Sequence, residues 1–369
     1  MPKTPHTATN WQESLRRVWM LQAAPVTAAA LTATALAGAP VAQAAEAADV
    51  AAASRAADVS AYAAAALIVG GTTFPSVERS FMESLWPLWS NSLGLPDTSA
   101  TALISVPYPA ELSPFTTGDD LGTSVSAGVD SLLNLLTTTY TAGGHLILWG
   151  ISQGALVLNA AQRVLAADPS APPAGSLTFV RVADPSAEIT GMLNFLPGLV
   201  MSKVLNCEDV MRTAATESQY NSIVVTNEYD AFADFPDKPW NLLAIANAIA
   251  GLWYRHGQTG TADLTTVPVQ NITTTVNSLG AMTTSYLVPA PFLPLTQVLR
   301  DAGANGAIVD ALESALRPIV DAGYTRNDPQ PAEVQPVVDP GRTAPRVAAT
   351  RPQTPATAAR GTWTVNHSG

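Results

Sequence analysis

The run Gly150-Ile151-Ser152-Gln153-Gly154 follows the apolar stretch "HLILW" and precedes the helix-like stretch "ALVLNAAQRVLA". A strand that reverses into a helix within a few residues brings backbone atoms close together. Small residues two before and two after the turning point relieve that crowding and leave a side chain held out at the tip. Here that side chain is a serine hydroxyl, which is a poor nucleophile until a histidine takes its proton. The chain has four histidines. His6 falls in the signal-like N-terminal region and His367 in the C-terminal tail. His145 begins the strand that ends at Ser152, and at about 3.3 Å per residue it lies roughly 20 Å away, at the wrong end of the sheet. His256 is left as the general base.

A histidine in that role needs a carboxylate to fix its tautomer and stabilise the imidazolium. In the order Ser, Asp, His the acid follows a strand beyond the nucleophile strand. Asp230 ends "IVVTNEYD" two strands on, which is the usual position. Asp234, in "ADFP", is a close rival because a turn could bring either carboxylate round, and Asp184, ending "FVRVAD", is a third candidate. The tetrahedral oxyanion needs at least two fixed donors. The backbone N–H of Gln153 follows from the elbow. Thr72, in "IVGGTTFPS" at the end of an early strand, is the candidate for the second, with the alternative that the glycines make an ordinary turn. No Lys follows that loop and G-x-G-x-x-G spacing is missing, so it does not read as a phosphate cradle. No cofactor or metal is expected. The single cysteine, Cys207, cannot form an internal disulfide and reads as a buried structural residue.

Elements must carry these residues to one place. "AALIVGG", "TALISVPYP", "HLILW", "SLTFVRVADP" and "NSIVVTNEYD" read as strands, and "SVERSFMESLWPLWS", "SVSAGVDSLLNLLTTTY" and "ALVLNAAQRVLA" as helices between them. That alternation predicts an α/β chain with a mostly parallel central sheet and helices on both faces, with the site at the carboxyl ends of the strands. Gly191 to Met211 is longer than a crossover needs. It reads as a lid insertion, as an acyl-binding wall, or as a plain crossover helix. Pro239 to Tyr254 is apolar on nearly all sides, which suits core burial or, through Trp240 and Trp253, the wall of an acyl site. After residue 256 a β excursion and two closing helices, "LPLTQVLRDAG" and "AIVDALESALRPIVDAGYTR", complete the fold.

The 369 residues carry a net charge of −11, and only 13% are charged. No Lys/Arg cluster is present to neutralise phosphates, which argues against a nucleic-acid partner. Low charge and long apolar segments favour an acyl substrate. Arg16 and Arg17, the apolar run from Val18 to about Pro40, and Ala42-Gln43-Ala44 read as an export signal over residues 1–44, or as an uncleaved anchor. Residues 45–60 form an Ala-rich lead-in, 61–326 the folded domain, and 327–369 a Pro/Ala/Thr-rich tail expected to be disordered. A secreted or envelope-associated protein follows, with association to a cell envelope or membrane surface as its expected setting.

"LIVGGTTFP", "GISQGALVLNAAQRVL", "NEYDAFADFPDKPWNLLAIANAIAGLWYRHG" and the closing helices resemble the PE-PPE C-terminal domain of mycobacteria and relatives, a serine α/β-hydrolase family similar to cutinases. The resemblance spans roughly residues 65 to 326 and is most specific from Asp-Phe-Pro to His-Gly. It implies esterase or lipase-like activity on acyl esters, or acyl transfer between envelope glycolipids. It also implies Ser152 as nucleophile with Asp230 and His256 as acid and base, and Thr72 at the oxyanion-loop position of cutinase-like enzymes. The loop departs from the family by reading Gly-Gly-Thr-Thr where a further glycine is common. No PE or PPE helical module is legible ahead of the domain, so pairing through such a module is not expected, and cutinase disulfides are missing. The rival from another class is a non-catalytic lipid-binding envelope protein on a hydrolase scaffold; a peptidase is a third reading.

Overall fold

The structure, a computed structural model, describes residues 64–93, 101–141, 144–187, 190–196, 198–207 and 217–328. The expected export signal, the Ala-rich lead-in and all but the first two residues of the expected tail lie outside the described residues. Strand β1 (Ala64–Val69) leads to helix α1 (Arg79–Leu93), β2 (Thr101–Ser105), α2 (Leu121–Thr139), β3 (Leu146–Ile151), α3 (Gln153–Ala167) and β4 (Leu177–Val182). Then come a 3-10 turn (Met192–Phe195), a short helix α4 (Gly198–Lys203), β5 (Asn221–Asn227) and α5 (Leu242–Tyr254). The chain closes with a 3-10 turn (His256–Thr261), β6 (Ile272–Val276), β7 (Met282–Val288), α6 (Pro294–Asp301) and α7 (Gly306–Asp321).

The seven strands form one sheet in the order β2-β1-β3-β4-β5-β7-β6. All neighbouring pairs are parallel except β6 with β7, which are antiparallel. The β excursion after residue 256 is therefore a hairpin whose second strand joins the main sheet beside β5. Strand β3, which ends one residue before Ser152, lies between β1 and β4, so its end is flanked by strand ends on both sides.

Successive side chains of a strand point to opposite faces, and β3 follows that rule. Leu146 and Leu148 enter a core with Leu132, Leu136, Leu156 and Phe179, under α2 and α3. Ile147 and Trp149 enter a second core with Ile68, Met82, Trp86 and Trp89, under α1. Helix α2 starts where Asp120 accepts the Thr123 N–H at 2.8 Å, satisfying one of the donors a helix start leaves open. A third, smaller core of Tyr229, Ala244, Leu293, Val320 and Tyr324 joins α5, α6 and α7 to the end of β5.

Of the readings open for the two apolar segments, the wall of an acyl site is the one the structure does not take. Helix α5 buries Ala244, Asn247, Ala248, Ala250 and Gly251. Its bulky residues Leu242, Ile249 and Trp253, with Trp240 just ahead, are exposed. Small residues face α6, α7 and the turn after β5 because α5 runs tight against them: a Cβ on Gly251 would lie 1.9 Å from the Tyr229 carbonyl oxygen, and one on Gly323 would lie 2.4 Å from Ala244 Cβ. The described part of Gly191 to Met211 packs as a crossover, with Leu193, Leu205 and buried Cys207 in the α2/α3 core.

Candidate active site

Ser152 sits between β3 and α3 with φ 55° and ψ −117°, a left-handed conformation unusual for a side-chain-bearing residue. The flanking glycines make it attainable. A Cβ on Gly150 would stand 2.4 Å from the Gly154 carbonyl oxygen, and one on Gly154 would stand 2.4 Å from the Val69 carbonyl oxygen. Any larger residue at either place would force the helix off the sheet. The Ser152 N–H donates to the Val182 carbonyl at 2.9 Å, tying the elbow to β4.

His256 Nε2 lies 2.9 Å from Ser152 Oγ, and its Nδ1 lies 2.9 Å from each Asp230 carboxylate oxygen. A carboxylate can only accept, so Nδ1 carries the proton and Nε2 is left free to accept from the hydroxyl. Asp230 is fully buried and His256 nearly so. Asp230 Oδ1 also accepts the Phe232 N–H at 2.9 Å, and the Phe232 ring packs on the imidazole with centroids 4.6 Å apart. The turn bearing His256 is fixed from β5, whose Asn227 Nδ2 donates to the Arg255 carbonyl at 2.8 Å. Ser152, Asp230 and His256 thus meet although they lie on three separate segments.

The rival acids have other partners. Asp184 accepts from Asn159 Nδ2 at 2.7 Å and from the Ser186 N–H at 2.9 Å. Asp234 takes both nitrogens of the Arg326 fork, at 2.6 and 2.8 Å, and the Tyr229 N–H at 2.7 Å. Burial pushes the Asp234 carboxyl up to about 6, against the pull of Arg326 and of the Tyr229 N–H. Asp234 thereby clamps the turn that presents Asp230. His145 bonds Thr178 Oγ1 at the far end of β3.

Gln153 opens α3, where its N–H has no intrahelical acceptor. Thr72 lines the same pocket as Ser152 and His256, and Gly71 lies between it and the elbow: a Cβ there would be 3.3 Å from Ser152 Cβ. The loop after β1 is strapped down by residues that the sequence did not single out. Tyr108 donates its hydroxyl to the Gly70 carbonyl at 2.6 Å, and the Thr73 N–H donates to the Ala110 carbonyl at 2.8 Å. Gln153 Nε2 donates to the Glu111 carbonyl at 2.6 Å, so the residue after the nucleophile holds the same strap. Burial pushes the Tyr108 hydroxyl well above its ordinary value, which keeps it a donor.

Beside Ser152 and His256 opens an apolar pocket of about 100 Å³ between the sheet and α1. Neither Trp240 nor Trp253, nor any described residue of Gly191 to Met211, lines it. Its bulky wall comes from α1, where Phe81, Leu85 and Trp89 recur at helical spacing. That spacing was visible in the sequence, but it marks any helix packed on a sheet. Among the described residues no group of three or more His, Cys, Asp or Glu is placed to hold a metal ion. No described helix is long and apolar enough to cross a membrane.

The family model for the PE-PPE domain matches residues 99–325. The SL1278 acyltransferase Chp1 of Mycobacterium tuberculosis is 38% identical over 286 residues, covering 75% of this chain and 67% of the relative. The diacyltrehalose acyltransferase Chp2 of the same organism is 40% identical over 228 residues, covering 59% and 61%. Its esterase PE16 is 32% identical over 294 residues, covering 77% and 54%. The chain therefore spans between 54% and 67% of the length of these curated relatives.

Proposed function

The chain belongs to the PE-PPE domain family, and from that premise we propose that it is an exported serine hydrolase that cleaves acyl esters through an acyl-enzyme intermediate. The observation that carries this reading is the continuous chain of contacts, each 2.9 Å, from Ser152 Oγ through His256 to Asp230. Ser152 Oγ attacks the ester carbonyl carbon while its proton passes to His256 Nε2, and Asp230 stabilises the imidazolium. The N–H groups of Gln153 and Thr72 receive the negative oxygen. Collapse breaks the ester bond, and the leaving alcohol takes the proton from His256. A second hydroxyl then attacks the acyl-enzyme carbonyl and gives its proton to His256, and as the acyl–Oγ bond breaks His256 returns that proton to Ser152 Oγ.

The identity of that second hydroxyl separates hydrolysis from transfer. Two relatives named as acyltransferases, at 38% and 40% identity, favour a second reading in which a glycolipid hydroxyl replaces water. Export is supported by Arg16-Arg17, the apolar run and Ala42-Gln43-Ala44, which favour the secreted or envelope-associated setting. The test is labelling of the protein with a fluorophosphonate probe beside release of p-nitrophenol from acyl esters. Both should vanish in Ser152→Ala while the fold, read by circular dichroism, persists. A folded wild type that never labels would favour the non-catalytic lipid-binding alternative. Mass spectrometry of envelope lipid extract, incubated with and without a trehalose-type acceptor, distinguishes free acid from a new ester. Fractionation of cells checks the location.

A further inference from the structure

We infer that the apolar pocket beside Ser152 is an acyl-chain subsite with a closed end, and that Trp89 and Trp149 form that end and limit the chain length accepted. The inference rests on the ester-cleaving reading above. The pocket lies between the sheet and α1, and no charged side chain lines it. Its mouth holds Ser152, His256 and Thr72. Its walls are Ile68 and Ile151 from the sheet, with Phe81 and Leu85 from α1.

The depth follows from the strand. Trp149 is three residues before Ser152 on β3 and pairs in register with Ile68 of β1. At about 3.3 Å per residue it lies roughly 10 Å below the nucleophile. An extended alkyl chain, with bonds near 1.5 Å at tetrahedral angles, advances about 1.25 Å per carbon, so about eight carbons reach the indole.

That end is rigid. The Trp89 and Trp149 rings meet edge to face, with centroids 5.5 Å apart and planes at 75°. Both are buried, and Trp89 Nε1 donates to the Gly260 carbonyl at 2.9 Å, which ties the floor to the turn that carries His256. Gly260 lets this turn close over the strand, since a Cβ there would come within 3.1 Å of Ile151 Cδ1. A floor held by ring packing, a buried hydrogen bond and a backbone contact will not yield to a longer chain without distorting the His256 turn. Each carbon that enters should raise kcat/KM by up to about fourfold, and each carbon beyond the floor should lower it, because the chain then cannot seat without displacing the ester from Ser152 or distorting the His256 turn.

The experiment is a kcat/KM profile of the full chain on p-nitrophenyl esters from acetate to palmitate, in detergent that keeps the long esters dispersed. The wild type should peak near octanoate and fall at least about tenfold by laurate. Trp149→Leu lowers the floor and should move the peak toward laurate. Val77→Phe fills the mouth side, because Val77 Cγ2 lies 3.2 Å from where a Cβ on Gly70 would be, and should move the peak toward butyrate. Val77→Phe carries the test alone if Trp149→Leu does not fold. A wild-type profile that climbs through palmitate, or a peak that stays put in folded variants, overturns the subsite. Loss of all Ser152-dependent release, on every ester, would strike at the proposed function instead.

Discussion

Asp230→Asn isolates the acid. Asn has nearly the same volume, and its side-chain oxygen can keep the 2.9 Å bond from the Phe232 N–H. Its NH₂ group then faces His256 Nδ1, where a carboxylate oxygen had accepted a proton at 2.9 Å. The imidazole must respond by accepting at Nδ1, which puts its own proton on Nε2, pointing at Ser152 Oγ. The base is then already protonated where it should accept. A wrong-tautomer defect of this kind costs about 10⁴ in kcat, or about 5.5 kcal/mol at 1.36 kcal/mol per decade. The assay is ester hydrolysis at saturating substrate, with thermal melting to show that the fold survives. Asp234→Asn is the control: its carboxylate touches Arg326 and the Tyr229 N–H, not the imidazole. It should lower the melting temperature while retaining most of kcat. The assignment fails if Asp230→Asn keeps its rate within tenfold, or if Asp234→Asn loses as much rate as Asp230→Asn without melting earlier.

Two further outcomes follow from the residues that hold the site. Tyr108→Phe frees the Gly70 carbonyl from a buried bond at 2.6 Å and loosens the oxyanion loop. Steady-state kinetics should show kcat down by about tenfold with KM little changed, the equivalent of one hydrogen bond of about 1.4 kcal/mol. Arg326→Gln leaves Asp234 buried without its counter-charge. The folded-state value of about 6 already lies above the ordinary aspartate value, so the carboxyl's contribution to stability is present below that ordinary value and lost as pH rises through about 6. Without Arg326 the carboxyl is pushed higher still, so the variant's deficit should reach about 3 kcal/mol at pH 8. Denaturant melts from pH 8 downward should show that gap closing as the pH falls toward about 6.

The parts of this molecule that were legible in the sequence are those where local geometry dictates residue type. Gly150 and Gly154 are needed because a Cβ on either would strike a carbonyl at 2.4 Å, and that crowding is a property of the turn itself. The alternation of apolar runs likewise gave the mostly parallel sheet with helices on both faces. The choice between Asp230 and Asp234 was not local. Both are buried, they are four residues apart, and Arg326, which occupies Asp234, comes 92 residues later. The pocket was hidden for a related reason. Phe81, Leu85 and Trp89 present an ordinary amphipathic face, and only the packing of α1 against Ile68 and Trp149 turns that face into a cavity wall. Pro239 to Tyr254 reads in the sequence as a core helix or, through Trp240 and Trp253, as the wall of an acyl site, yet the close approach of α5 to Tyr229 selects its small residues for burial and turns Leu242, Ile249 and Trp253 outward.

A common device places the three functional elements. Thr73 in the loop after β1, Ser152 after β3 and Tyr229 after β5 all have positive φ, at 71°, 55° and 62°. None is glycine, so each costs about 1–3 kcal/mol and persists only where the surroundings over-determine it. In each case a hydrogen bond from that residue's own N–H does so: to the Ala110 carbonyl, to the Val182 carbonyl and to Asp234 Oδ2. The same turns set the proposed oxyanion loop, the proposed nucleophile and the proposed acid at the carboxyl ends of neighbouring or near-neighbouring strands. Strain held in three places by three separate anchors means that the site is set before substrate arrives, and that removing one anchor relaxes one element. Tyr108 lies outside the reacting atoms, yet damage to it should reach the chemistry through the proposed oxyanion loop, whereas damage to Asp234 or Arg326 should appear as lost stability.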